Sequence, residues 1–186
     1  MKIKNYKLFL EGKRDIDSIC NEYDITNYTI NDDGTVDVDG NVDLFNKGLT
    51  ELPFKFGKVS GNFNCDQNQL TSLEGSPNWV GKYFSCAHNL LTTLEGGPEI
   101  VIGSYYCDYN NLVNFKGFPE DFDDYVCIYI YDNYVDELIE KIPEDKRNKF
   151  IYWCNEYDAI TDDGKVIPER MEEVYNKLGL EYNEEN

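Results

Sequence analysis

The sequence predicts a right-handed α/β solenoid, a coil of short repeated units that stack through parallel strands. The first observation is a row of evenly spaced cysteines, since Cys65, Cys86 and Cys107 recur with a 21-residue period. The second is that the positions around each cysteine repeat with it: an aromatic residue two positions earlier, an asparagine three later and a leucine five later. The aromatic residue and the cysteine alternate with an outward residue, which is the pattern of a short strand with one buried face.

Three regular units and two weaker ones make up the repeat. The aromatic, asparagine and leucine rows are Phe63, Phe84, Tyr105 and Tyr125; Asn68, Asn89 and Asn110; and Leu70, Leu91 and Leu112. A weaker unit at residues 38–58 lacks the cysteine and the asparagine. A partial unit is expected around Tyr125 and Cys127, since Cys127 follows Cys107 at a spacing only one position short of the regular period. Each asparagine is expected to bind backbone groups of the turn, and a Gly-x-Pro sequence to turn the chain back.

The unit resembles the leucine-rich repeat L-x-x-L-x-L-x-x-N-x-L, with the aromatic residue and the cysteine at its fourth and sixth places. A 21-residue unit is near the short end of that class, so short turns or 3₁₀ segments are expected on the convex side. More closely, the chain resembles leucine-rich-repeat proteins of large tailed bacteriophages and related viral genomes. The similar stretches are YTINDDGTVDVDGNVDL, GLTELPFKFGKVSGNFNCDQN, LTSLEGSP, WCNEYDAI and GKVIPERMEEV. The resemblance implies the fold and a viral origin. It does not supply a catalytic site.

Both ends of the chain depart from the repeat, which divides the chain into three parts. Residues 1–37 are expected to form an N-terminal cap, with a helix at 5–22 and a hairpin that turns at residues 31–34. Residues 38–133 form the solenoid, and residues 134–186 form a C-terminal helical cap. The helices of the C-terminal cap are expected at residues 134–142, 144–157 and 168–178. Such ends would cover the open edges of the solenoid.

The composition and net charge restrict the kinds of molecule that this protein is expected to bind. The formal net charge of −19 argues against direct binding to nucleic acid or to an anionic membrane, because contacts to phosphate need clustered Lys and Arg. The same charge favours a host or viral protein with a basic or polar surface, or serves solubility alone. Residues 1–10 have no apolar stretch of a signal peptide, and no apolar run approaches a membrane span. We therefore expect a cytoplasmic protein, in the host cell cytoplasm if it is viral.

Three features suggest chemistry, and each has a simpler structural interpretation. The cysteine row is conceivable as a metal or disulfide site, but a straight row of inward thiols cannot surround one ion, so buried small side chains are favoured. The aspartates at residues 32–43 lack the spacing of a calcium loop. His88 is the only histidine, and no nucleophile or metal partner is positioned beside it. We expect no catalytic residues, no metal and no cofactor.

The outward positions of the strands, and those just after them, predict a binding surface on the concave face. The candidate residues of this surface are Asp43, Asn62, Asn64, Asp66, Tyr83, Ser85, His88, Ser104, Tyr106, Asp108, Tyr109 and Tyr129. The first units present small polar and acidic groups, and the later units add tyrosines, which suit the centres of protein interfaces. The alternative is a solvated sheet whose tyrosines reflect strand propensity alone.

The leading hypothesis is therefore a protein–protein interaction module, a phage factor that binds and inhibits a host defence protein through its concave face. The alternative is an acidic decoy that imitates nucleic acid and occupies a DNA-binding protein, since the net charge of −19 would suit that role. We expect no enzymatic activity, and no motif in the sequence supports a nucleotide or another small ligand.

Overall fold

The computed structural model describes residues 16–119 and 128–183. In it the chain forms a β-solenoid of about four turns with parallel strands and few helices. The parallel-stranded solenoid predicted from the cysteine spacing is therefore confirmed. Every turn of the coil is in hydrogen-bonding register with the next through its strands, so equivalent residues form straight rows along the solenoid.

The strands form two five-stranded sheets, which we name sheet I and sheet II. Sheet I consists, in spatial order, of β1 (Tyr28–Ile30), β2 (Val36–Val38), β4 (Phe56–Val59), β6 (Trp79–Val80) and β8 (Ile100–Val101). Sheet II consists of β10 (Ile128–Tyr129), β9 (Tyr105–Tyr106), β7 (Phe84–Ser85), β5 (Phe63–Asn64) and β3 (Val42–Asp43). The sequence predicted sheet II and the β1–β2 hairpin, and it missed the strands β4, β6 and β8 with which sheet I continues. Turns do occur where the sequence expected them, but a strand of sheet I follows them before the chain returns to sheet II.

The register of the last turn differs from the expectation. Ile128 pairs with Tyr105, and Tyr129 pairs with Tyr106, so this step is longer than the regular one, whereas the spacing of Cys127 predicted a shorter one. The cysteine row therefore continues at Ile130, which is buried, and not at the position expected for Cys127. Tyr125 and Cys127 lie outside the described residues. The longer step explains why the cysteine spacing placed this unit wrongly.

The inside of sheet II is filled by a stack of aromatic rings. The rings of Phe63 and Phe84 are stacked with their centroids 5.6 Å apart, and those of Phe84 and Tyr105 are 4.9 Å apart. All three side chains are fully buried, and each contributes roughly 2 kcal/mol or more by leaving water. The prediction of buried small thiols is confirmed for the row of Cys65, Cys86 and Cys107, and burial raises the pKa of each thiol.

The asparagine row holds successive turns together. Nδ2 of Asn89 donates to the carbonyl oxygens of Cys65, Cys86 and Ala87 at 3.0, 3.0 and 3.2 Å, and its Oδ1 accepts from the Leu70 amide at 2.9 Å. The other members of this row make equivalent bonds: Asn68, Asn110 and Asn133. One side chain thus satisfies buried backbone groups of two turns, as the sequence predicted.

The glycine row marks the turn that follows the asparagine row. Gly75, Gly96 and Gly117 have φ of +94°, +83° and +84°, which disfavours other residues. A Cβ atom at Gly96 would lie 2.9 Å from the Glu74 amide nitrogen of the preceding turn. Glycine is therefore required here both by the backbone angle and by the close approach of two turns.

The N-terminal segment joins the solenoid through sheet I. The predicted hairpin is confirmed, since β1 pairs with β2 antiparallel and Gly34 in the turn has φ of +84°. On its other side β2 pairs with β4 in parallel, so the hairpin begins the sheet that the coil extends. The predicted helix is confirmed over residues 16–22, which we name α1. Its remaining expected part lies outside the described residues.

The C-terminal segment is helical and contacts the turn of the solenoid that contains Phe115. Its elements are α2 (Asp136–Glu140), a 3₁₀ turn (Glu144–Lys146), α3 (Arg147–Glu156) and α4 (Pro168–Lys177). Nδ2 of Asn155 donates to the carbonyl oxygen of Phe115 at 2.8 Å, and the rings of Phe115 and Phe150 meet edge to face at 5.8 Å. Within residues 16–119 and 128–183, no helix has the length and apolar character needed to cross a membrane.

A candidate binding face on sheet II

Four rows of side chains cover the outside of sheet II, because residues alternate between its two faces. Two rows lie on the strands or just before them: Asn41, Asn62, Tyr83 and Ser104; and Asp43, Asn64, Ser85, Tyr106 and Tyr129. Two rows follow the strands: Phe45, Asp66, Ala87, Asp108 and Tyr131; and Asn46, Gln67, His88, Tyr109 and Asp132. We name these four rows the tyrosine face.

The structure places all twelve sequence-predicted binding residues on the tyrosine face. Tyr129 lies at another position of this face than the sequence predicted. It was expected just after a strand, whereas it lies on β10 and continues the row of Tyr106. Ser85 is 4% exposed, and its hydroxyl donates to Oδ1 of Asp66 at 2.6 Å. Ser85 therefore supports the face from within, whereas His88 and Tyr109 are exposed to solvent.

Two groups of aromatic rings lie on this face. In the first, Tyr83 meets Tyr106 edge to face at 5.9 Å, and Tyr106 stacks on Tyr129 at 4.6 Å with an angle of 9°. In the second, His88 stacks on Tyr109 at 4.2 Å with an angle of 5°. Offset and edge-to-face pairs of this kind hold each other in place. The rings therefore form an ordered aromatic surface that a partner would meet with little loss of side-chain entropy.

Two half-buried carboxylates lie between the ring groups. Oδ1 of Asp66 accepts from the Ser85 hydroxyl at 2.6 Å and from the Ala87 amide at 2.8 Å. Oδ1 of Asp108 accepts from the Tyr131 amide at 3.0 Å. Burial raises the pKa of both carboxyl groups above the ordinary value of aspartate, although these hydrogen bonds act in the opposite direction. No described residue donates a hydrogen bond to Oδ2 of Asp66 or of Asp108.

The charged side chains described on the tyrosine face are acidic. The described residues of its four rows include no lysine and no arginine, and they include the carboxylates Asp43, Asp66, Asp108 and Asp132. Burial raises the pKa of Tyr83, and the nearby Asp43 and Asp66 raise it further. The face therefore offers acceptor oxygens and aromatic rings, and a group that binds it well must be cationic or a hydrogen-bond donor.

The last row of the face lies at a sharp turn with an uncommon backbone conformation. Its five members have positive φ of 51°, 55°, 52°, 53° and 53°: Asn46, Gln67, His88, Tyr109 and Asp132. Asparagine, aspartate and histidine occur in this region more often than other residues with a Cβ atom. Tyr109 is costlier there, so its exposed ring is kept at a position where glycine would be easier.

Sequence reasoning missed Tyr131 and Asp132, which extend the two rows beyond Asp108 and Tyr109. The signal was present, since Ile128, Ile130 and Asn133 have the spacing of the aromatic residue, the cysteine and the asparagine in earlier turns. Tyr131 is 48% exposed, and it adds another ring to the tyrosine-rich end of the face.

In the part of the chain that the structure describes, no three His, Cys, Asp or Glu side chains are grouped so that they could hold a metal ion. The imidazole ring of His88 stacks on the ring of Tyr109. Comparison of the chain with protein-family models, with curated proteins and with solved structures gave no significant match.

Proposed function

We propose that this chain is a protein-binding module that engages its partner through the tyrosine face. The observation that carries the proposal is the ordered surface of Tyr83, Tyr106, Tyr129, His88 and Tyr109 around half-buried carboxylates. Tyrosine rings bury a large area with few rotatable bonds and keep a polar hydroxyl, which is why they are frequent at the centres of interfaces. The repeated strands supply a rigid base, which reduces the entropy lost on binding.

The proposal also includes the repeat family of the chain and the cell in which it acts. The 21-residue unit and the asparagine row support a leucine-rich repeat, with the α1–hairpin segment and α2–α4 as its caps. The resemblance to leucine-rich-repeat proteins of tailed bacteriophages supports a viral protein that acts in the host cytoplasm. In that setting the partner is a host protein, such as a component of a defence system, that the module inhibits by occupying its surface.

The test is capture of a partner from an extract of bacterial host cells, with purified chain as bait. We expect Tyr106→Ala combined with Tyr129→Ala to lower the captured amount at least about tenfold, because central aromatic residues carry much of the binding energy. Tyr152→Ala on α3 is the control, since it removes a tyrosine away from sheet II. Equal capture by the tyrosine-face variant and the control would place the binding surface elsewhere.

A second candidate is the acidic decoy, and the net charge of −19 favours it. A decoy should lose binding steeply as salt is raised, and DNA should compete with it for the partner. The tyrosine face favours the first candidate, because its carboxylates are few and lie among uncharged rings. Capture that survives high salt and excess DNA supports the protein-binding module.

A further inference from the structure

We infer that the tyrosine face accepts an arginine side chain of a basic protein segment, seated over Ala87 between Asp66 and Asp108. This inference rests on the proposed function, since it names the chemistry of the partner at the same surface. Three independent features support it: the shape of the row around Ala87, the charge on either side and the position of the rings.

The shape is a gap in a row of larger side chains. Phe45, Asp66, Asp108 and Tyr131 occupy equivalent positions in the other turns, and Ala87 has only a methyl group. Ser85 on the same strand is also small and lies almost wholly below the surface. Neighbouring turns are about 5 Å apart, so the flanking aspartates are about 10 Å apart at their backbones. Ala87 is 7% exposed, and the Asp66 carboxylate leans towards it to accept from its amide, so the gap is a shallow low point of the row on which a planar side-chain head would lie beside the carboxylates.

The charge is complementary to a cation. Asp66 and Asp108 flank the gap, and each has its Oδ1 fixed by a backbone amide of the next turn. Their Oδ2 atoms receive no hydrogen bond from the described residues, so each retains acceptor capacity. Burial raises the pKa of both carboxyl groups, so an incoming cation would stabilise two charges that the protein alone stabilises poorly.

The rings favour arginine over lysine. The His88–Tyr109 stack lies on one side of the gap, and the group of Tyr83, Tyr106 and Tyr129 lies on the other. A guanidinium is planar, stacks on aromatic faces and donates several hydrogen bonds in a fixed geometry. An ammonium group is a more strongly hydrated point charge, so it gains less from the rings.

The test is a titration of the full-length, ¹⁵N-labelled chain, followed by NMR, with N-acetylarginine amide as the probe. We expect saturable shifts at the amides of Ala87 and Tyr131, which donate to the two carboxylates. The lysine counterpart should bind at least about fivefold more weakly, and the uncharged citrulline counterpart should cause no saturable shift. Equal shifts with citrulline, or saturable shifts only at other surfaces, would overturn the inference.

Substitutions at the site distinguish an effect of its charge from an effect of altered folding. Asp66→Asn with Asp108→Asn keeps an Oδ1 acceptor at both positions, removes both charges and should weaken arginine binding at least about tenfold. Asp39→Asn is the matched control, because Oδ1 of Asp39 also bridges two turns, by accepting from the Ser60 hydroxyl at 2.8 Å on the sheet I side. Ala87→Leu fills the gap without changing charge and should also abolish binding. Unchanged binding in both test variants, with intact thermal unfolding, would refute the site.

The two proposals fail in different ways. If the arginine probe does not bind but Tyr106→Ala with Tyr129→Ala prevents partner capture, the inference is overturned and the binding module stands. If the probe binds at Ala87 but variants of the face capture the partner as well as the unchanged chain does, the proposed function is overturned and the arginine site stands.

Discussion

Single residues decide whether successive turns stay in register, and the asparagine row is the clearest example. Asn89 is 5% exposed and bonds backbone groups on two turns, so its hydrogen bonds are shielded from solvent. The sequence predicted this role from the position of the asparagine three residues after the cysteine. It was predictable because this buried turn needs a side chain with two N–H donors and a carbonyl acceptor, and asparagine is the shortest that has them.

We expect Asn89→Ala to lower the free energy of unfolding by about 2–3 kcal/mol. The substitution leaves the Leu70 amide without its partner and removes one of the two asparagine donors from each of the carbonyl oxygens of Cys65 and Cys86. An unsatisfied buried group costs about 1–3 kcal/mol before the chain relaxes, and the lost hydrogen bonds add to that cost. Urea unfolding followed by circular dichroism measures the change. The control is Asn78→Ala, an exposed asparagine that should change stability by less than about 0.5 kcal/mol. Equal losses in the two variants would contradict the role of the row.

At the scale of elements, the sequence revealed the features marked by turn residues, by proline or by the repeated aromatic residue and cysteine, and it missed the parallel strands of sheet I. The hairpin was predictable because Asp33-Gly34 stands between two runs of strand-forming residues. Helix α4 was predictable because Pro168 fits the first turn of a helix. The strands β6 and β8 are two residues long, as those of sheet II are, but they lack the alternating aromatic residue and cysteine that marked sheet II, so no alternation reveals them.

The last turn shows a different limit. Cys127 lies within one residue of the position that the regular cysteine spacing predicts, so the sequence analysis assigned it to the cysteine row. The residues that continue the aromatic, cysteine and asparagine rows are Ile128, Ile130 and Asn133. Isoleucine replaces both the aromatic residue and the cysteine there, and only the asparagine keeps its identity. Hydrogen-bonding capacity is therefore the more reliable marker of the repeat, because several apolar side chains can fill a core position but few polar ones can replace an amide.

The turn that leaves sheet II contains strain that glycine can relieve. Gln67 has φ of +55°, is exposed and lies outside the ring stacks of the tyrosine face. We expect Gln67→Gly to raise the free energy of unfolding by about 0.5–1 kcal/mol, since relief of the left-handed conformation outweighs the flexibility that glycine adds to the unfolded chain.

Gln69→Gly is the matched control for that prediction, because Gln69 is equally exposed but is not among the described residues with positive φ. Glycine there should lower stability by about 0.5–1 kcal/mol, through the unfolded chain alone. Thermal unfolding of the two variants gives the comparison. A loss of stability in both variants would show that the backbone of the row with positive φ is not strained.

At the scale of the whole molecule, the net charge of −19 opposes compaction, and the half-buried carboxylates add to that cost. Burial raises the pKa of Asp66 and Asp108, so the folded chain binds protons more readily than the unfolded chain does. Stability therefore rises as the pH falls from neutrality into the range in which these groups take up protons. The exposed Asp33, Asp163 and Glu74 have pKa values lowered by hydrogen bonds, and their contribution is lost only at lower pH, as they become protonated.

We therefore expect the urea midpoint of the chain to be higher at about pH 5 than at about pH 7, at constant ionic strength. The variant with Asp66→Asn and Asp108→Asn should show a smaller difference between the two values, because it lacks the two groups with raised pKa and keeps their Oδ1 acceptors. Asp39→Asn should retain the full difference. If the double variant retains it as well, the pH dependence arises from general charge repulsion, and the carboxylates of the tyrosine face carry no special burial cost.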